Sequence, residues 1–281
     1  MAGKLVICPT PLGNLGDMTP RALDALRAAD VVCAEDTRVT GKLLAALGVE
    51  GKRLERLDEN VIAARAAEIT ARIIAGETIA YCTDAGMPGV SDPGLRLVRT
   101  ARVAGVPVDV LPGPTAVATA YVASGCVDQS FYFGGFFPRK DAARVALLKQ
   151  LKLLDAAFIF YESPNRLVSA LESIAQVLPL REVAVCRELT KLHEEVFRGP
   201  VPQVLVEFAD RDSVKGEIVI VVDGPTDAER EADAATATAD AAARARELAS
   251  QGMRPKDITR ALVSEFHIPR NEAYDLALHA N

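Results

Sequence analysis

The sequence predicts an α/β protein: two α/β domains with a cleft between them, then a small helical module. Three observations carry this reading. Through the first half, short apolar runs alternate with helical patterns, as in βαβ units. From about Pro114 the order changes, and two strand patterns follow one another with no helix between them. Beyond Pro225 strand patterns stop and short helix patterns with tight turns take over. The expected boundaries are 1–112, 113–224 and 225–281.

Taken in order, residues 5–8, 31–34, 78–82 and 106–111 are continuous apolar runs, expected as strands of a parallel sheet covered on both faces. Thr19 before Pro20, and Asp92 before Pro93, read as helix N-caps with proline at the first helical position. Gly48 and Gly105 stand where helices end. In the second domain a helix over 115–124 precedes a strand over 131–136, a basic helix, a strand over 157–161 and a helix opened by Ser163-Pro164 that runs to Leu178. Strands over 183–189, 194–197 and 217–222 then make a mixed or partly antiparallel sheet. The Ala-, Thr- and Asp-rich stretch 225–243 is expected as a linker that turns helical near Ala241. Helices over 241–250, 256–266 and 270–279, the last two joined by His267-Ile268-Pro269, form a module of the helix-turn-helix kind.

With 49% hydrophobic and 25% charged residues, collagen-like, disordered and disulfide-scaffold classes are excluded. No apolar run reaches the ~18 residues of a membrane helix. The opening MAGKLVICPT is too short for a signal peptide, so no membrane and a cytoplasmic location are expected. Cys8, Cys33, Cys82, Cys126 and Cys186 form no C-x-x-C pair and are expected as reduced thiols, mostly in strands. His193, His267 and His279 are too scattered for a metal triad, and no metal is expected. The formal net charge of −6 argues against a broad, sequence-blind grip on nucleic acid, though not against a local basic surface.

Segments able to carry chemistry sit beyond strand ends, where open α/β sheets bind ligands. The first is 10–17, with Glu35 and Asp36 about 20 residues beyond, a distance that invites a dinucleotide reading. Its glycines are spaced G-x-x-G rather than G-x-G-x-x-G, which counts against that reading. The second, 84–94, carries Asp84 at a strand tip before Ala85-Gly86; a ligand loop and a plain turn both fit it. The third is the Pro-Gly-Pro crossing before Thr115-Ala116. The fourth joins Tyr161-Glu162-Ser163-Pro164-Asn165-Arg166 to Arg187-Glu188, whose charges taken alone read as a salt-bridged cluster without chemistry. Arg139, Lys140, Arg144, Lys149 and Lys152 follow four phenylalanines; a solvated helix face and an RNA contact are both open.

The ordered series CPTPLGNLGDMTPRAL, AEDTR, CTDAGMPGVSDPG, LPGPTA, FYESPNR, CRELTKLHEE and KGEIVIVV resembles the ribosomal RNA small subunit methyltransferase I family of the tetrapyrrole methylase superfamily. The resemblance implies a tetrapyrrole methylase fold and S-adenosylmethionine bound between the two domains of a homodimer. It implies cofactor contacts at Asp84, Ala85, Gly86, Val90, Ser91, Thr115, Ala116, Tyr161, Leu189, Gly216, Glu217 and Ile218. Met87 departs from the threonine expected in that loop. The implied reaction is 2′-O-methylation of a cytidine ribose in 16S rRNA of the small ribosomal subunit, with the C-terminal module as an RNA-contacting extension. Glu35, Asp36, Glu162 and Glu188 are candidate general bases. Asn14, Arg38, Lys140, Arg187 and Lys191 are candidate substrate contacts. Two other readings are a tetrapyrrole C-methyltransferase on the cobalamin or sirohaem route, and a metabolite-sensing DNA-binding regulator.

Overall fold

The computed structural model describes residues 3–266 and 268–280; His267, expected in the final turn, and the first two residues of the opening segment lie outside them. The chain divides into two compact units, Met1–Gly224 and Pro225–Asn281.

The first unit opens with β1 (Leu5–Ile7), α1 (Pro20–Ala28), β2 (Val31–Ala34), α2 (Thr37–Ala46) and β3 (Arg53–Arg56). It continues through α3 (Glu59–Ile74), β4 (Ile79–Cys82), α4 (Leu95–Val103) and β5 (Val108–Val110). These strands form one parallel sheet in the order β3-β2-β4-β1-β5. Successive residues of each strand point to opposite faces. Leu5, Ile7, Val31, Cys33, Ile79 and Tyr81 therefore pack under α3 and α4. Val6, Cys8, Val32, Ala34, Ala80 and Cys82 pack under α1 and α2. Burial on both faces is why these strands read as unbroken apolar runs.

A second sheet follows. Its elements are α5 (Ala116–Ala123), β6 (Phe131–Phe136), α6 (Asp141–Leu151), β7 (Ala157–Glu162), α7 (Leu167–Val177), β8 (Glu182–Arg187), β9 (Glu195–Pro200), α8 (Val201–Ala209) and β10 (Ile218–Val222). The strand order is β6-β7-β10-β8-β9, with β6 and β7 parallel and the other pairs antiparallel, the mixed sheet expected. Helices α6, α7 and α8 cover one face through Leu148, Leu171, Val204 and Phe208. Val117 and Ala120 of α5 cover the other. The second unit packs α9 (Asp227–Ser250), α10 (Pro255–Phe266) and α11 (Arg270–Leu278) around Ala241, Ala245, Leu248, Ile258, Leu262 and Ala273.

Thr19 caps α1 as expected, accepting from the Ala22 N–H at 3.3 Å, and Gly48 and Gly105 follow α2 and α4 with φ of 65° and 72°. Other local expectations are corrected. The stretch 227–240 is helix rather than linker. Alanine is the strongest helix former, and a capping box starts α9: the Thr226 hydroxyl accepts from the Glu229 N–H (3.2 Å) while the Glu229 carboxylate accepts from the Thr226 N–H (3.0 Å). Asp92 does not cap α4; Gly94 does, at φ 138°, where a Cβ would meet the Tyr81 ring at 3.0 Å. Ser163 heads a short 3-10 turn (Pro164–Arg166) before α7, and its hydroxyl accepts from Arg166 Nε at 3.1 Å instead of capping an N–H. Nor is the basic helix face wholly solvated. Arg144 is buried, its Nε donating to the Ser173 hydroxyl at 2.8 Å. All five cysteines are free, four of them buried and Cys126 half-buried.

Candidate functional site

The order of the first sheet reverses between β1 and β4, where open α/β sheets hold ligands. The loops leaving these two strands are fastened there: Thr10 and Gly86 form an isolated antiparallel bridge, and the Thr10 hydroxyl donates to the Thr83 carbonyl at 3.2 Å. Gly86 has φ 80°, and a Cβ on it would lie 3.2 Å from Leu12. Glycine lets the two loops close together.

Beyond this bridge lies a cavity of about 340 Å³ between the strand tips of the two sheets. The first sheet contributes Leu12 and the run Ala85, Gly86, Met87, Val90, Ser91 and Asp92. Thr115 and Ala116 enter from the start of α5. The second sheet supplies Phe136, Tyr161, Glu162, Ser163 and Pro164, then Gly216 through Val219. The volume suits a small-molecule site, and a mainly apolar wall with few polar groups is typical of one. Ser91 holds φ 62°, a conformation costly for a non-glycine residue and frequent at ligand sites.

The wall gathers the residues expected at the cofactor, apart from two. Asp84 braces the neighbouring strand tip, accepting from the Asp36 N–H at 3.2 Å. Leu189 is buried in the core with Ile159 and Val219. Of the four candidate bases only Glu162 reaches the wall. Asp36 caps α2 and is held well below the usual carboxylate range by hydrogen bonds from Arg38. Glu188, at φ 52°, accepts from the Glu217 N–H and from Lys191 Nζ, both at 2.9 Å, which lowers its carboxyl. Glu35 is raised, first by burial and then by the charge of Asp84.

The five candidate substrate contacts lie outside the wall. The Asn14 side chain accepts from the Gly16 N–H at 2.9 Å, shaping its own loop. Arg38 pairs with Asp36 at 2.6 Å, Arg187 with Glu195 at 2.8 Å, and Lys191 with Glu188 and Glu217. Lys140 is exposed at the start of α6. Arg187, Glu188 and Glu162 thus belong to three separate ion pairs rather than one cluster, Glu162 pairing with Arg166.

Sequence reasoning missed Asp92. Freed from the cap by Gly94, it faces the cavity, and burial, reinforced by Glu35 and Asp84, pushes its carboxyl up to about 7. A Ser-Asp-Pro run reads as helix start, but α4 begins only at Leu95 with Gly94 as its cap, which leaves the Asp92 carboxylate outside the helix. Phe136, expected among RNA-facing aromatics, also lines the cavity while 60% exposed, edge-on to Tyr161 at 5.7 Å.

Residues 4–205 match the family model described as Tetrapyrrole (Corrin/Porphyrin) Methylases. The Ribosomal RNA small subunit methyltransferase I of Synechocystis sp. is 37% identical, over 98% of this chain and 98% of that protein. The protein of the same name in Thermotoga maritima is 43% identical over 79% of this chain and 99% of its own length. The solved uroporphyrin-III-C-methyltransferase of Thermus thermophilus shares the fold, with a TM-score of 0.55 at 21% identity over 78% of this chain and 94% of that one.

Proposed function

We infer, since this chain belongs to the tetrapyrrole methylases and among them to the ribosomal RNA small subunit methyltransferase I family, that it transfers a methyl group from S-adenosylmethionine to 16S rRNA of the small ribosomal subunit. The observation that carries the reading is one cavity walled by the loop motifs of both sheets. Its chemistry suits the cofactor. Leu12, Met87, Val90 and Tyr161 give apolar contact and exclude water, while the turns at Gly86 and Gly216 (φ 80° and 93°) bring main chain to the ligand. The cofactor supplies a methyl group already activated on a sulfonium.

The finer reading is methylation of a cytidine ribose at its 2′-oxygen. A 2′-hydroxyl is a weak nucleophile until its proton is taken, and a positioned base contributes about 10²–10⁴-fold. Asp92 is the group we propose for that proton. It combines a place on the wall with a carboxyl pushed to about 7, close to the operating pH of a useful base. Asp36 and Glu188 are committed to cap and clamp. Glu35 and Asp84 act by keeping Asp92 raised.

The C-terminal unit carries a groove of about 480 Å³ bordered by Lys256, Arg260 and Arg270 with Thr259 and Ser264, a surface suited to RNA phosphates. Exposed Leu95, Val103 and Val110 support a homodimer, to be tested by sedimentation. A cytoplasmic location accords with this substrate, and no helix among the described residues is long and apolar enough to cross a membrane.

The test is methyl transfer from labelled S-adenosylmethionine to small subunits lacking the modification, read by nucleoside mass spectrometry. Free 16S rRNA and a precorrin-type tetrapyrrole run alongside. Label on a cytidine ribose is expected; label on the tetrapyrrole alone would overturn the reading.

A further inference from the structure

At the tip of β7 the Glu162 side chain is fully buried yet only half used. Its Oε1 accepts from the Ser163 N–H at 2.6 Å and pairs with Arg166 Nη2. Arg166 Nε in turn donates to the Ser163 hydroxyl at 3.1 Å, so the guanidinium is fixed at two of its nitrogens. Among the described residues, Glu162 Oε2 and Arg166 Nη1 have no hydrogen-bond partner, although both atoms are buried. Leaving such atoms unsatisfied is costly, and where a native structure does so the group calls for an explanation. Here they are an acceptor and a donor on one ion pair, and Glu162 is part of the cavity wall.

We propose that Glu162 and Arg166 read the edge of an aminated heteroaromatic ring, with Oε2 accepting from the exocyclic amino group and Nη1 donating to the adjacent ring nitrogen. The proposal rests on the function inferred above and deepens it. A carboxylate accepting from the cytosine amino group is a known mode of base discrimination, and the guanidinium meets the neighbouring acceptor. Uracil has a carbonyl oxygen in place of the amino group and a protonated ring nitrogen, so both contacts would turn repulsive. Phe136, exposed on the same wall, offers a face on which an unpaired base can stack. The same amino-and-ring-nitrogen edge occurs on the target cytosine and on the adenine of the methyl donor. Which of the two is read is a matter for experiment.

The experiment uses the full chain and the variants Glu162→Gln and Arg166→Lys, each checked for native thermal unfolding. Calorimetry measures S-adenosylmethionine binding without any RNA. Single-turnover transfer is then measured on small subunits bearing cytidine or uridine at the target position. If cytosine is read, cofactor affinity is unchanged, the cytidine rate falls about 10- to 100-fold, and the preference over uridine shrinks by a similar factor. If adenine is read, cofactor affinity falls about 10-fold or more while the cytidine-to-uridine ratio stays as in the wild type. Wild-type enzyme on the two subunits needs no variant: equal rates on both exclude the cytosine source. Natively folded variants with unchanged affinity and unchanged ratio overturn the proposal. Absence of transfer to any RNA by the wild type would instead sink the function itself, and the calorimetric arm would still report on the pair.

Discussion

Thr10 and Gly86, 76 positions apart in the sequence, exchange backbone hydrogen bonds of 3.0 Å in both directions. This single bridge ties the loop after β1 to the loop after β4 and fixes one wall of the cavity before any ligand arrives. Preorganisation of that kind lowers the ordering cost of binding.

Gly86→Ala tests the bridge. A side chain there must hold φ 80° and approach Leu12 at 3.2 Å, and such strain costs on the order of 1–3 kcal/mol. Titration calorimetry should show S-adenosylmethionine binding weakened about 10-fold or more.

Asp92→Asn removes the proposed base. Transfer in single turnover should fall about 10²–10⁴-fold. A base works only when deprotonated, so the wild-type rate should climb with pH through about 7 and then level off, whereas the residual rate of the variant should lack that step. Stability should move the other way. The Asp92 carboxyl is raised from 3.8 to about 7 on folding, so the stabilisation of its neutral form is full below 3.8 and lost as pH rises toward 7. Melting curves should therefore show the asparagine variant gaining on the wild type between pH 4 and pH 8. Glu188→Gln, which loosens a clamp outside the cavity wall, should keep the pH step.

Arg144→Ala should destabilise the fold by about 2–4 kcal/mol, because it strips a buried donor from Ser173 and from the Ser169 carbonyl, the latter at 3.1 Å. Lys149→Ala on the same helix, exposed, should change stability by less than about 0.5 kcal/mol. Urea midpoints compare the two directly.

Replacing Lys256, Arg260 and Arg270 together by alanine should weaken binding to small subunits and flatten its dependence on salt, the slope falling by about one for each phosphate the groove no longer holds. Cofactor affinity should not change. An unaltered salt slope would remove the groove from RNA binding.

The inner strands β1, β2 and β4 were legible because both faces of the sheet are covered there, which leaves an apolar run with nothing to interrupt it. β3 is the exception. Its Arg-Leu-Glu-Arg sequence lies at the sheet edge, and Glu55 is neutralised by Arg65 at 2.7 Å and Arg72 at 2.9 Å, both on α3, a partnership invisible to local pattern. The start of α9 is written in Thr226-x-x-Glu229, a signal that the linker-like composition of 225–243 hides. The residues expected at the cofactor, most of which line the cavity, came from family resemblance, and the roles of single carboxylates did not. Glu188 is used up by an N–H 29 positions away, and Asp92 is left free because α4 starts at Leu95 with Gly94 as its cap. Both facts belong to packing.

The cavity wall begins at Leu12 and is not complete until Val219. During synthesis the first sheet can assemble while the second is still inside the ribosome, since domains fold as units from the N-terminus. The cavity proposed for the methyl donor is nevertheless unfinished until β10 has emerged and inserted between β7 and β8. On the proposed reading, cofactor capture is a late event in the life of each nascent chain, and a fragment released early would carry the glycine loops without the rest of the wall.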